Sequence, residues 1–316
     1  MDNALTPRRK RRRFFRKEDA ALYIMATPVT IYLIIFAYIP MVGLLMAFQK
    51  FNVVKGFFGS PFIGFKNFQF MFATSDAFIY TRNTILYNIA FIIVNMLLSV
   101  FMAVILSMLR SARTAKLLQT IYMMPYFISW SVVSIILSVF ISAQSGIVNQ
   151  FLSSLGGEKV VIDWYMTKSM WPALLIITNA WKGVGYATVL YLAVISGISM
   201  DYYDAAMIDG ANKFQQARYI TIPHLRFIVS IQLILSMRNI VRGDFGLHFV
   251  VPRLAGMQYL NSTVGVIDTY IYNALIRLTN VGMSSAAGLL QSAAGLLLVL
   301  AANWIVTKID SDSAMF

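Results

Sequence analysis

Three basic side chains, Lys182, Arg238 and Arg242, stand inside apolar stretches of this sequence. A charge at the centre of a bilayer costs at least about 2.5 kcal/mol on insertion scales, so such residues mark a functional path or an internal partner. Arg238 and Arg242 are four apart and share one face of the helix expected there, with Asn239 between them and Asp244 just beyond. One use of these cations is to line a water-filled path with Lys182 and meet an anionic substrate, such as a uronate-containing oligosaccharide from alginate or pectin. The other is structural: Arg242 pairs with Asp244 or snorkels outward, and Arg238 pairs with a carboxylate on a neighbouring chain. A neutral sugar would need stacking rings and amides instead, which Trp181, Tyr186, Tyr191, Asn239 and Phe245 supply.

Enzyme chemistry is poorly served. His224 and His248 have no second ligand at metal spacing, so no metal site is expected. No nucleophile and base stand together as a membrane hydrolase would require. The phosphate-loop pattern G-x-x-x-x-G-K-[ST] is absent, so the chain does not hold a nucleotide in that way.

The elements that carry these residues follow from composition. Hydrophobic residues make up 59% of the 316 and charged residues 12%, against about a quarter charged in soluble domains. Six apolar stretches, 22–48, 85–109, 117–141, 171–198, 225–251 and 285–306, are long enough to cross the hydrocarbon core. An all-α, polytopic membrane protein is predicted, with an even number of spans and both termini on one side. Eight of the 26 basic residues lie between Arg8 and Lys17, where they suit anionic lipid at the cytoplasmic face better than nucleic acid. The apolar run behind them is too long for a signal-peptide core. With the N-terminus inside, the inner segments carry fifteen Lys and Arg and the outer loops eight, so both termini are assigned to the cytoplasm. The reading divides the chain into a basic segment 1–19, one transmembrane domain 20–308 and a short tail 309–316.

Pro28, Pro40, Pro125 and Pro172 lie within or beside spans, where each frees a carbonyl and kinks its helix if a neighbour supplies a donor. In the last span Ser284, Gly288 and Ser292 recur every fourth residue, with Ala287 and Gly295 close by, a stripe suited to close helix packing.

One inner loop, 202–223, is polar without being turn-like. Tyr203 to Asp209 is rich in helix formers and meets Gly210, a helix stop. Asn212 is placed to cap a second short helix, and Pro223 is expected to prevent continuation into the next span. The result is a helix-turn-helix elbow whose small Ala205, Ala206 and Ala211 let it seat in a groove of another protein.

The runs Asp204-Ala205-Ala206, Asp209-Gly210-Ala211 and Ile220-Thr221-Ile222-Pro223 resemble the EAA loop of permease subunits in binding-protein-dependent ABC importers. Asp204 stands where that family usually has Glu, and Ile222 where it usually has Leu. Gly64 with Asn67-Phe68, Asn83-Thr84 and Tyr122 to Pro125 are similar to elements of the sugar and polysaccharide permeases, including the maltose-system subunits. The resemblance implies the type I importer permease fold and makes the elbow a coupling helix docked on an ATPase. It also implies a second related permease, two cytoplasmic ATP-binding subunits that carry the ATP and magnesium, and an extracytoplasmic solute-binding protein, in a bacterial inner membrane. An ion-coupled secondary transporter is the alternative. It usually shows internal repeats and intramembrane acids, and here Asp244 is the main acid within a span.

Overall fold

The computed structural model describes residues 20–309 apart from 74, 110, 157–159, 256 and 277–278. The basic stretch from Arg8 to Lys17, Arg110, Lys159, Arg277 and the tail beyond Ile309 lie outside the described residues.

Among the described residues, five helices are each long and apolar enough to cross a bilayer: Ala20–Phe48, Asp76–Met108, Lys168–Ser196, Lys213–Met237 and Val281–Lys308. A further crossing consists of two pieces, Ala112–Phe127 and Trp130–Ile141, that meet at 102°. Counted as one span, the pair gives the six that the sequence predicts. The bend has a local cause. Pro125 opens a single tight turn, Met124–Phe127, the chain extends at Ile128, and the Ser129 hydroxyl then accepts from the Val132 amide to start a new helix.

The fifth span departs from expectation at both ends. Pro223 does not interrupt it: the short helix Lys213–Gln216 passes through a wide π turn, Ala217–Thr221, into Ile222–Met237. Pro223 falls in the first turn of that last piece, where its missing N–H is absorbed by the π turn ahead of it. The helix then ends at Met237 instead of continuing to 251. Its last piece has 16 residues, about 24 Å at helical rise and short of the roughly 30 Å hydrocarbon core. Beyond a non-helical segment the chain re-forms as Gly246–Val250 and Val251–Ala255, followed by Met257–Val264 and Ile267–Ile276. Arg238 and Arg242 therefore do not share a helix face.

Two separate apolar cores hold the bundle. One joins Tyr87, Phe91, Val133, Trp171, Leu175 and Leu247. The other, beside the elbow, joins Ala103, Val104, Tyr191, Ile195, Ala217 and Leu225. The opening half of the first span, Ala20–Leu33, buries no residue against its own chain, as befits a helix solvated by lipid or by another subunit.

Candidate functional site

Between the two cores the second, fourth and fifth spans part around a cleft of about 900 Å³. The second span turns Asn88, Phe91 and Asn95 toward it, positions three, four and seven apart on one helical face. The fourth contributes Asn179 and Tyr186, and the fifth contributes Gln232 and Ser236 before it unwinds into Asn239 and Arg242 to Asp244. Asn95 donates to the Asn179 side-chain oxygen at 2.7 Å, while its own Oδ1 is buried with no partner.

Non-helical backbone at membrane depth needs donors from elsewhere, and they come from flanking spans. The Asn88 amide donates to the carbonyls of Arg242, at 2.7 Å, and Ile240, at 3.3 Å. Gln291 of the last span donates to the Val241 carbonyl at 2.8 Å. Asp268 accepts from the Gly243 amide and, at 3.0 Å, from Gln291. Asp244 accepts from the Leu247 amide at 3.1 Å and so opens the helix that follows. Both carboxylates thus hold backbone. Arg242 donates to the Ser292 hydroxyl at 3.2 Å, remains exposed, and is the only cation among the described residues that line the cleft.

Of the side chains expected to line a path, Tyr186, Tyr191, Asn239 and Arg242 reach the cleft wall. Lys182, Trp181, Arg238 and Phe245 stand outside it. Lys182 donates instead to main-chain carbonyls at the corner of the third span. Trp181 is 44% exposed. Phe245 stacks on Phe249 at 4.6 Å and tilts against Tyr272. Arg238 caps the shortened helix, and its backbone packs against Gly295 of the last span. Sequence reasoning passed over Asn88, Asn95, Asn179, Gln232 and Asp268. The spacing of seven between Asn88 and Asn95 inside an otherwise apolar run was the available signal.

The elbow takes the anticipated form. Ser199 caps Met200–Ile208, and Gly210, at φ +79, reverses the chain in a conformation that L side chains rarely adopt. Asn212 and Gln215 form a reciprocal capping box, with bonds of 2.9 and 2.8 Å. The Tyr203 hydroxyl meets the Thr221 hydroxyl at 3.0 Å and ties the two arms together. Asp204, Ala205, Asp209, Gly210 and Pro223 are exposed, whereas Ala206, Ala211 and Ile220 are half-buried. The tip presents apolar side chains to the surroundings, with Ile208 88%, Phe214 70% and Met207 51% exposed.

The remaining motif residues are braces. Asn67, three residues after a positive-φ Gly64, donates to the carbonyls of Ala47 and Gln49 where the first span ends, at 3.0 and 2.8 Å. Asn83 donates to the carbonyls of Ser262 and Gly265 at 3.0 and 3.1 Å.

A model of the family described as binding-protein-dependent transport system inner membrane component matches residues 95–312. Protein LplB of Bacillus subtilis is 30% identical over 94% of this chain and 91% of its own length. The polygalacturonan/rhamnogalacturonan transport system permease protein YteP of the same organism is 28% identical over 99% of this chain and 96% of its own. A solved bacterial ABC transporter involved in import of the acidic polysaccharide alginate has a chain that superposes with a TM-score of 0.82 at 28% identity, covering 93% of this chain and 97% of that one. A second structure of the alginate transporter, in complex with an alginate pentasaccharide-bound periplasmic protein, gives the same TM-score at 27% identity, over 93% of this chain and 96% of that one.

Proposed function

Because this chain belongs to the family of binding-protein-dependent transport system inner membrane components, we propose that it is one permease subunit of an ATP-driven importer of acidic oligosaccharides in a bacterial inner membrane. It pairs with a second, related permease. Two cytoplasmic ATP-binding subunits grip the elbows of the pair, and an extracytoplasmic binding protein delivers the saccharide.

The observation that carries this reading is one unbroken helix. Lys213–Met237 starts in the elbow and ends at the floor of the cleft. A displacement imposed on the elbow by ATP-driven closure of the ATPase is therefore delivered to the segment that follows, whose Asn239 and Arg242 to Asp244 line the cleft. The exposed Ile208, Met207 and Phe214 supply the apolar contact, and Asp204 supplies a carboxylate for a basic residue of the ATPase.

The cleft suits a hydroxyl-rich chain. Amides and hydroxyls of Asn95, Asn179, Gln232, Ser236 and Asn239 offer both donors and acceptors, Tyr186 offers a ring to stack on, and Arg242 offers a cation to a uronate carboxylate. That polygalacturonan, rhamnogalacturonan and alginate appear in the names of similar proteins supports the acidic class.

Reconstitution tests it. Proteoliposomes holding this chain, its partner permease and the ATPase should take up a uronate oligosaccharide only with ATP inside and binding protein outside. Uptake by this chain alone, driven by a proton or sodium gradient, would establish the ion-coupled alternative instead.

A further inference from the structure

The Lys182 ammonium is held by the corner of the third span. It donates at 2.6 Å to the Tyr126 carbonyl, at 2.6 Å to the Ile128 carbonyl and at 3.4 Å to the Pro125 carbonyl. It also lies 5.5 Å from the Tyr126 ring centre and 5.3 Å from that of Trp130. An ammonium has three N–H donors, and here all three are spent on main chain. The Pro125 carbonyl also accepts from the Ile128 amide at 3.2 Å, while those of Tyr126 and Ile128 lie at the 102° bend, where the helix is interrupted.

Two neighbours on the same face of the fourth span complete the seat. Gly185 lies so close to the third span that a Cβ there would fall 1.9 Å from the Tyr122 carbonyl oxygen. Tyr186 stacks on Tyr126 with ring centres 4.4 Å apart and an interplanar angle of 12°. Tyr186 is a wall residue of the cleft, so what fixes Tyr126 also fixes that wall.

We infer that Lys182 is a positioning residue: it clamps the bent third span and thereby holds the Tyr126–Tyr186 stack as a rigid aromatic shelf for a sugar ring, without touching the substrate itself. The inference rests on the importer reading for its consequence but not for its geometry.

Two experiments test it separately. The chain has no cysteine of its own, so Tyr126→Cys with Tyr186→Cys can be joined by a short bis-thiosulfonate reagent in the assembled complex. Cross-linking should be efficient with Lys182 present and lost in Lys182→Met; equal yields in both would overturn the clamp whatever the protein transports. In reconstituted uptake, Lys182→Met should raise the apparent KM for saccharide about tenfold, the scale of one charge-assisted hydrogen bond, with maximal rate and assembly retained. Lys182→Arg should recover most of the loss. The KM should rise equally for acidic and neutral saccharides. A defect confined to the acidic one would make Lys182 a substrate contact and overturn the positioning role. If the wild-type complex takes up nothing with ATP, the importer reading fails while the cross-linking result stands.

Discussion

The side-chain amide of Asn88, in the second span, lies 2.7 Å from the main-chain oxygen of Arg242, in the fifth, and donates to it. Through that bond and a longer one to Ile240, beside a bond to Thr84 in its own helix, a regular helix carries the hydrogen-bonding load of an irregular segment. The break in the fifth span is thus built in: it has assigned donors on two neighbouring helices, Asn88 and Gln291.

Asn88→Leu keeps the number and branching of the side-chain heavy atoms and removes the donor. Two carbonyls would be left unsatisfied, a penalty of about 1–3 kcal/mol, so the melting temperature of the detergent-solubilised complex should fall. An unchanged melting curve would show that water reaches these carbonyls freely.

Glycine substitutions should sort by what a Cβ would meet. At Gly185 it meets the Tyr122 carbonyl at 1.9 Å and at Gly246 the Trp130 ring at 1.9 Å, whereas at Gly288 nothing lies within 4 Å. Alanine at the first two should cost at least about 1 kcal/mol through overpacking and reduce the yield of folded protein. Gly288→Ala should be silent in the same assay, and a defect there would point to a helix of another subunit lying on that face.

Gly210→Val strains the elbow without a clash, since its Cβ would enter open space at φ +79. The left-handed conformation costs a residue with a side chain roughly 1–2 kcal/mol, enough to shift the turn. ATP hydrolysis by the complex should persist while saccharide uptake falls. Coupling retained at the wild-type ratio would remove this turn from the transmission path.

Arg242→Gln and Arg238→Gln should differ, because only Arg242 stands in the cleft wall. Loss of a charge-assisted bond worth about 1.5–3 kcal/mol should raise the apparent KM for a uronate oligosaccharide by roughly tenfold or more in the first variant. The second should transport normally. Comparable defects in both would place the two cations on one path after all.

The sequence made the elbow legible because its signals are local: Gly210 stops one helix and Asn212 caps the next within three residues. The spans were legible for the same reason, since hydropathy averages over neighbours in the chain. The break after Met237 was not. Its surroundings are apolar enough to read as one crossing, and what permits unwinding there, Asn88 and Gln291, comes from 152 residues earlier and 50 later. Lys182 was visible as a cation within an apolar stretch, but its acceptors lie 54 to 57 residues back, at a corner set by Pro125. Charge can be read from sequence; the partner that neutralises it has to be seen in three dimensions.

The two cores lie apart, one around Trp171 and Leu175 and the other around Tyr191 and Leu225, with the cleft between them. The second and fourth spans run uninterrupted from one core to the other, the second with Tyr87 and Ala103 and the fourth with Leu175 and Tyr191, and tie the two together. The layer between them mixes amides and hydroxyls with Phe91, Ile92, Met96 and Leu190, and its polar groups can take water as a partner. The fifth span, by contrast, reaches the two cores through Leu225 and Leu247 on either side of its break, so a change of shape meets the least resistance there.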